Sequence, residues 1–209
     1  MPSWNYEKEA YSRFGNVVAG VDEAGRGPLA GPVVAGAVIL DKKNVPTDLL
    51  CHLDDSKKLS PKKRDVLFHQ IMNCPAATTA LGVASVEEID HLNILRAAHL
   101  AMQRAVSLLG VMPAVALIDG NQAPRHFSCP TMCVVKGDSH SFSIAAASII
   151  AKVNRDRKMT ELAVGYPGYG WEKNMGYGTA EHRHAVRSLG LTPHHRRSFA
   201  GLGAMCSAV

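Results

Sequence analysis

Apolar positions along the chain fall into two kinds of run. Residues 16–21 and 32–40 are nearly continuous Val, Ile, Leu, Ala and Gly, the pattern of strands buried on both faces. Residues 78–84, 115–118 and 132–135 repeat it in shorter form and predict three more strands. Between these runs lie helix signals. Ser60-Pro61 reads as an N-cap followed by proline in the first turn, which predicts a helix to about Asn73. Ser85-Val86-Glu87-Glu88 is a capping-box signature, and the spacing of Leu92, Leu95, Leu100 and Val106 carries that helix to Gly110. A long helix is expected over residues 141–162. Strands alternating with helices predict an α/β fold.

Three of these strands run into acids. Asp22 and Glu23 follow the first, Asp119 the run at 115–118, and Asp138 comes shortly after the run at 132–135. Ligand sites of open α/β sheets gather at strand ends, so the four are expected to be neighbours despite their separation. Alternatives exist for each: an acidic turn for Asp22-Glu23, a turn residue in Asp119-Gly120, an N-cap for Asp138. Successive strand residues point to opposite faces, so Asp22 and Glu23 reach one cavity only if the chain leaves the strand, which Gly25 and Gly27 permit. Four converging carboxylates repel one another unless a cation lies between them, and hard oxygen donors suit Mg²⁺ or Mn²⁺. Arg26 adds a planar fork for phosphate. Asp54, Asp55 and Asp156 are weaker candidates, with Asp156 expected in an ion pair. His182 and His184 diverge on a helix, while His194 and His195 lie in a basic stretch; these read as surface or phosphate-contacting residues, not metal ligands.

Residues 22–34, from Asp22-Glu23-Ala24-Gly25-Arg26-Gly27-Pro28 to Val34, resemble the opening motif of bacterial type 2 ribonuclease H, the ribonuclease HII family. The resemblance continues through Asp55-Ser56-Lys57-Lys58-Leu59-Ser60, Ile118-Asp119-Gly120-Asn121, Lys136-Gly137-Asp138, residues 143–153, Gly176-Tyr177-Gly178-Thr179 and His195-Arg196-Arg197-Ser198-Phe199. It implies a ribonuclease H-like mixed sheet flanked by helices, with a small helical C-terminal appendage. It further implies catalysis and metal binding by Asp22, Glu23, Asp119 and Asp138, with two ions roughly 3.5–4 Å apart. The reaction implied is hydrolysis of the RNA strand of RNA–DNA hybrids and nicking of DNA 5′ of embedded ribonucleotides, giving 3′-hydroxyl and 5′-phosphate ends. In that family the Gly-Arg-Gly loop, here Gly25, Arg26 and Gly27, embraces the ribonucleotide, and a tyrosine, here Tyr177, senses the RNA-to-DNA step. Gly176 and Gly178 leave Tyr177 exposed, whereas Tyr166 and Tyr169 are expected to pack. Lys57 and Lys58 belong to a family motif and are expected at phosphates; Lys62, Lys63 and Arg64 are undecided. Ser148 and Lys152, four apart on one helical face, are expected to line the nucleic-acid groove. Met175 and Ala180 depart from the polar or basic residues common in the family.

The division expected is a catalytic domain over 1–190 and, over 191–209, a helical lid that closes on the duplex (193–199) followed by a mobile tail. Type 3 ribonuclease H is the nearest alternative, but it usually has lysine at the position of Arg26 and an extra N-terminal domain. A non-catalytic nucleic-acid-binding module holding a structural ion is the alternative from another class. Composition fits the enzyme: 209 residues, 46% hydrophobic and 20% charged, suit one domain. Twenty-three Lys and Arg against eighteen Asp and Glu give +5, which suits a polyanionic partner. No membrane span is present, and Glu7, Lys8 and Glu9 stand where a signal peptide would be apolar, so a cytoplasmic monomer is expected. Five cysteines without a Cys-x-x-Cys pair read as reduced thiols. Protein partners are unknown; the tail shows no convincing sliding-clamp peptide.

Overall fold

The computed structural model describes residues 1–199 and 202. Its elements are α1 (Asn5–Phe14), β1 (Val18–Ala24), β2 (Val33–Leu40), α2 (Thr47–His52), α3 (Pro61–Met72), β3 (Ala77–Ala84), α4 (Val86–Leu92), α5 (Ile94–Ser107), β4 (Val115–Asp119), β5 (Thr131–Val134), α6 (Phe142–Gly165), α7 (Trp171–Asn174) and α8 (Ala180–Leu189). The strands form one mixed sheet in the order β3-β2-β1-β4-β5. Pairing is antiparallel from β3 to β1 and parallel from β1 to β5. β1 is therefore central, and its first five residues are buried.

Each face of the sheet is covered by a different helix. Ala19 and Val21 of β1, with Ala35 and Ala37 of β2, pack against Ala97, Ala98, Ala101 and Met102 of α5. Val38 and Leu40 belong to the opposite cluster, with Ala145, Ala146 and Ile149 of α6 and Leu67 and Ile71 of α3. The small residues of α6 let it lie against the backbone of β1 and β2. A Cβ at Gly20 would collide with the backbone of Ser143, and one at Gly36 would come within 2.5 Å of the Ala147 carbonyl. This close approach holds the start of α6, and the turn before it, beside the ends of β1 and β4.

Several boundaries differ from the sequence expectation. β1 runs on through Asp22 and Glu23 to Ala24, so both acids lie within the strand. The helix expected from 86 to 110 is two helices, because Asn93 takes a left-handed φ of 70° and its side-chain oxygen accepts from Leu95 N and Arg96 N. α1 and α2 were not anticipated. Buried Glu7 of α1 accepts from the Ser141 and Ser143 hydroxyls at 2.6 and 2.8 Å, docking α1 onto the first turn of α6. Residues 191–199, where a helical lid was expected, contain no helix; Leu202 beyond them is helical. Those residues pack beneath the Gly25–Gly27 loop, and most of the expected mobile tail lies outside the described residues. Cys51, Cys74, Cys129 and Cys133 are free thiols, and Cys206 lies outside the described part. Among the described residues no helix is long and apolar enough to cross a membrane.

Candidate active site

The parallel pairing of β1 with β4 sets Val21 beside Ile118, so the next residues, Asp22 and Asp119, emerge side by side. Asp138 arrives by another route. After β5, Lys136 takes a left-handed φ of 55° and the chain folds into a 3₁₀ turn at Gly137–Ser139. Gly137 N–H donates to Asp119 Oδ1 at 2.7 Å, which locks that turn to the end of β4. A Cβ at Gly137 would stand 2.5 Å from Ile144 Cδ1, so a larger residue there would push the Ile144 side chain aside. One carboxylate oxygen from each of Asp22, Asp119 and Asp138 then lies within 4.8 Å of the others. Asp138 does not cap the following helix; Ser141 does, accepting from Ile144 N.

Glu23 stands outside this three-acid group. It follows Asp22 on an unbroken strand, and its Oε1 accepts from Arg26 Nη1 at 3.1 Å. Its Oε2 is buried without a hydrogen-bond partner. Burial, then Glu23 and Asp119, hold the Asp22 carboxyl well above the usual range, with Lys57 opposing. Burial raises Glu23 against the pull of Arg26, and burial with Asp119 and Asp55 raises Asp138. Such a cluster is short of positive charge. Three convergent hard-oxygen donors and an unpartnered buried carboxylate oxygen fit a divalent cation.

Arg26, Lys57, Lys152 and Tyr177, together with Gly25 and Gly27, line the cleft of about 620 Å³ beside these acids. Lys57 Nζ lies 3.8 Å from Asp138 Oδ2. Burial disfavours its charge, yet Asp22, Asp55 and Asp138 outweigh that and raise its pKa. Lys152 shares its charge with Asp156 at 2.7 Å, the ion pair expected for Asp156. Lys58 is off the cleft wall, reaching Asp54 at 3.5 Å and Ser139 Oγ at 3.1 Å. Ser148 is 2% exposed and its hydroxyl donates to Ala145 O, so it lies inside α6's packed face while Lys152 reaches the wall. Ser56 and Arg64 also line the cleft, although Ser56 carries no separate signal in sequence and Arg64 was undecided there.

The Gly25–Gly27 loop is shaped from below. Gly25 has φ +101°, and a Cβ there would collide with the Arg155 side chain. Gly27 is different: its Cβ would meet only Tyr177 Cε1, at 3.4 Å. Buried Arg196 donates to Gly25 O at 2.6 Å, Arg26 O at 3.1 Å and Gly31 O at 2.9 Å. Arg155 donates to Pro32 O at 3.2 Å and Met175 O at 3.0 Å. Two buried guanidiniums thus hold the loop and the segment before Tyr177 by their carbonyls.

The family model described as ribonuclease HII matches residues 19–202 of this chain. The chain belongs to the ribonuclease HII family. A ribonuclease HII from Jannaschia sp. (strain CCS1) is 58% identical over 199 residues, covering 95% of both chains. One from Gluconobacter oxydans is 51% identical over 209 residues, covering 100% of this chain and 98% of that one. Among solved structures, the ribonuclease H2 from Pyrococcus horikoshii superposes with a TM-score of 0.74 at 28% identity, over 90% of this chain and 96% of that chain. The Archaeoglobus fulgidus RNase HII, solved in complex with PCNA, gives 0.71 at 26% identity, over 88% and 95%. As a ribonuclease HII, the chain is a metal-dependent endoribonuclease.

The histidines correct one sequence expectation. His182 and His195 are not surface groups: they are 0% and 1% exposed. His182 Nδ1 meets the Tyr177 carbonyl at 2.9 Å. Tyr166 and Tyr169 pack around Trp171, as expected, whereas Tyr177 is 45% exposed.

Proposed function

We propose that the chain hydrolyses the RNA strand of RNA–DNA hybrids and nicks duplex DNA on the 5′ side of a single embedded ribonucleotide, leaving 3′-hydroxyl and 5′-phosphate ends. The observation that carries this reading is that the Gly25–Gly27 loop and the Tyr177 ring line one cleft beside the acids, an open backbone edge and an aromatic face next to the carboxylates that would hold a metal. Telling RNA from DNA requires contact with a 2′-hydroxyl, and a loop without a side chain at Gly27 lets backbone groups make it.

Asp22, Asp119 and Asp138 would hold the divalent metal, with Glu23 Oε2 the further donor. Mg²⁺ or Mn²⁺ bound there would supply Lewis acidity to activate a water and to stabilise the leaving 3′ oxygen. The remaining residues place the substrate. Arg26, held by Glu23, offers its outer N–H groups to the phosphate next to the ribose. Lys57 and Lys152 provide charge on the facing wall for the strand's other phosphates. Tyr177, exposed on the same cleft wall, would meet the sugar.

The test is cleavage of a labelled duplex with one embedded ribonucleotide, with and without Mg²⁺, by the wild type and Asp119→Asn. The wild type should cut 5′ of the ribonucleotide only with metal. Asp119→Asn should lose turnover and keep duplex binding, since it removes charge without changing shape. Turnover within about tenfold of wild type, the scale expected for a mere supporting residue, would remove Asp119 from the ligand set.

A further inference from the structure

One buried polar cluster has no part in the chemistry above. The Nε2 atoms of His182 and His195 lie 3.1 Å apart, and Trp171 Nε1 lies 3.0 Å from His182 Nε2. The partners assign every proton. The Tyr177 carbonyl can only accept, so His182 Nδ1 carries a hydrogen and donates to it at 2.9 Å. Thr192 N–H can only donate, so His195 Nδ1, 3.0 Å away, is bare and His195 Nε2 carries the hydrogen. His182 Nε2 then accepts from both His195 Nε2–H and Trp171 Nε1–H. An added proton on either ring would set two N–H groups against each other, so both rings stay neutral. Burial agrees, lowering both pKa values, that of His195 to about 4.

Two arms leave this pair. Through His182 it holds the carbonyl of Tyr177, which also accepts from Thr179 N at 2.8 Å. Through the residue after His195 it reaches the loop beside Tyr177, where Arg196 holds the Gly25 and Arg26 carbonyls. We propose that the His182–His195 pair is a positioning unit that sets Tyr177 beside Gly27 and so fixes where its ring meets the ribose. The unit touches no substrate and acts through Tyr177 and Arg196. It rests on the reading of Tyr177 as the ribose contact.

The test compares two substitutions on two substrates. His182→Gln carries its amide out to the Nε2 position, keeping a polar group near Trp171 and His195 but leaving the Tyr177 carbonyl without its side-chain donor. His182→Asn keeps an amide N–H at the Nδ1 position. In His182→Gln, kcat on duplex DNA with one embedded ribonucleotide should fall about five- to tenfold more than on a continuous hybrid, the scale of one hydrogen bond, with KM little changed. His182→Asn should restore most of that loss. In a Tyr177→Ala background, His182→Gln should add nothing to the selectivity, because the ring whose position the hydrogen bond sets is already gone. Equal losses on both substrates, or equal behaviour of Gln and Asn, would overturn the proposal. A readout on the unaltered protein guards against variants that fail to fold: ¹⁵N spectra should show His182 as the Nδ1–H tautomer and His195 as the Nε2–H tautomer. The opposite tautomer on His182 would overturn the proposal by itself. If the wild type did not cut at a single ribonucleotide, the functional reading would fall instead; if it cut and His182→Gln showed no selective loss, only the positioning role would fall.

Discussion

Gly25 and Gly27 lie two residues apart in one loop and answer to different constraints. Gly25→Ala must take a left-handed φ and displace Arg155, so it should cost several kcal/mol, about 3 or more, and show as a large drop in melting temperature. Gly27→Ala meets only Tyr177 at ordinary contact distance, so it should fold with near wild-type stability yet lose activity because the methyl group keeps the substrate off the loop backbone. Arg26→Lys keeps the charge but loses the fork, and its loss should appear mainly as misplaced phosphate, in kcat. Asp22→Asn should abolish cleavage and stabilise the metal-free protein by about 0.5–2 kcal/mol, since it relieves a buried, repelled carboxylate. Denaturation in chelator would check that sign. Much of this site was legible. Asp22 and Asp119 end adjacent apolar strands, and pattern alone puts them at one edge of a sheet. Asp138 could be placed near them, but its route through left-handed Lys136 and the contact between Gly137 and Asp119 carry no sequence signal of their own. Glu23 could not be separated from the other three, because glycines nearby allowed a bend that the strand does not make.

At the level of elements, local capping chemistry was readable and long-range docking was not. Ser60 and Ser85 cap the helices they announce, the latter through a full capping box. Asn93 was passed over because the apolar spacing continues across it. Its side chain caps α5 while its backbone stays left-handed, so Asn93→Ala should lower stability by about 1–2 kcal/mol and Asn93→Gly by less, measured by urea denaturation. α1 has little apolar content to betray it and depends on one buried carboxylate bonded to Ser141 and Ser143. The segment 191–199 looked like a lid for its basic residues, yet Arg196 points inward, and Asp90 of α4 receives Arg197 N–H at 3.0 Å and Ser198 N–H at 2.9 Å. A basic residue in sequence says nothing of whether carbonyls or phosphates will receive its hydrogens.

For the whole molecule, charge and titration set the conditions for use. Neutral His195 has a folded pKa of about 4 against an ordinary 6.5, so between those values the unfolded chain binds the extra proton. Its contribution is complete above pH 6.5, declines as pH falls toward 4 and is flat below. The loss is at most about 3 kcal/mol. The raised carboxylates act in the opposite sense, destabilising the metal-free protein as pH rises through their folded values, so Mg²⁺ should flatten that side of the curve. Denaturation across pH with and without Mg²⁺ separates the two. Duplex affinity should weaken with salt at a log–log slope of about −0.9 per neutralised phosphate, and a flat profile would contradict a basic cleft. The clamp of Arg196 on Gly25, 171 residues earlier, also gives the enzyme a calendar. The sheet and its acids can form while the chain is still being made, but the loop that grips substrate is not held until Arg196, made 171 residues after Gly25, turns back beneath it. A nascent copy that stops short of Arg196 would carry the cutting groups without the means to aim them.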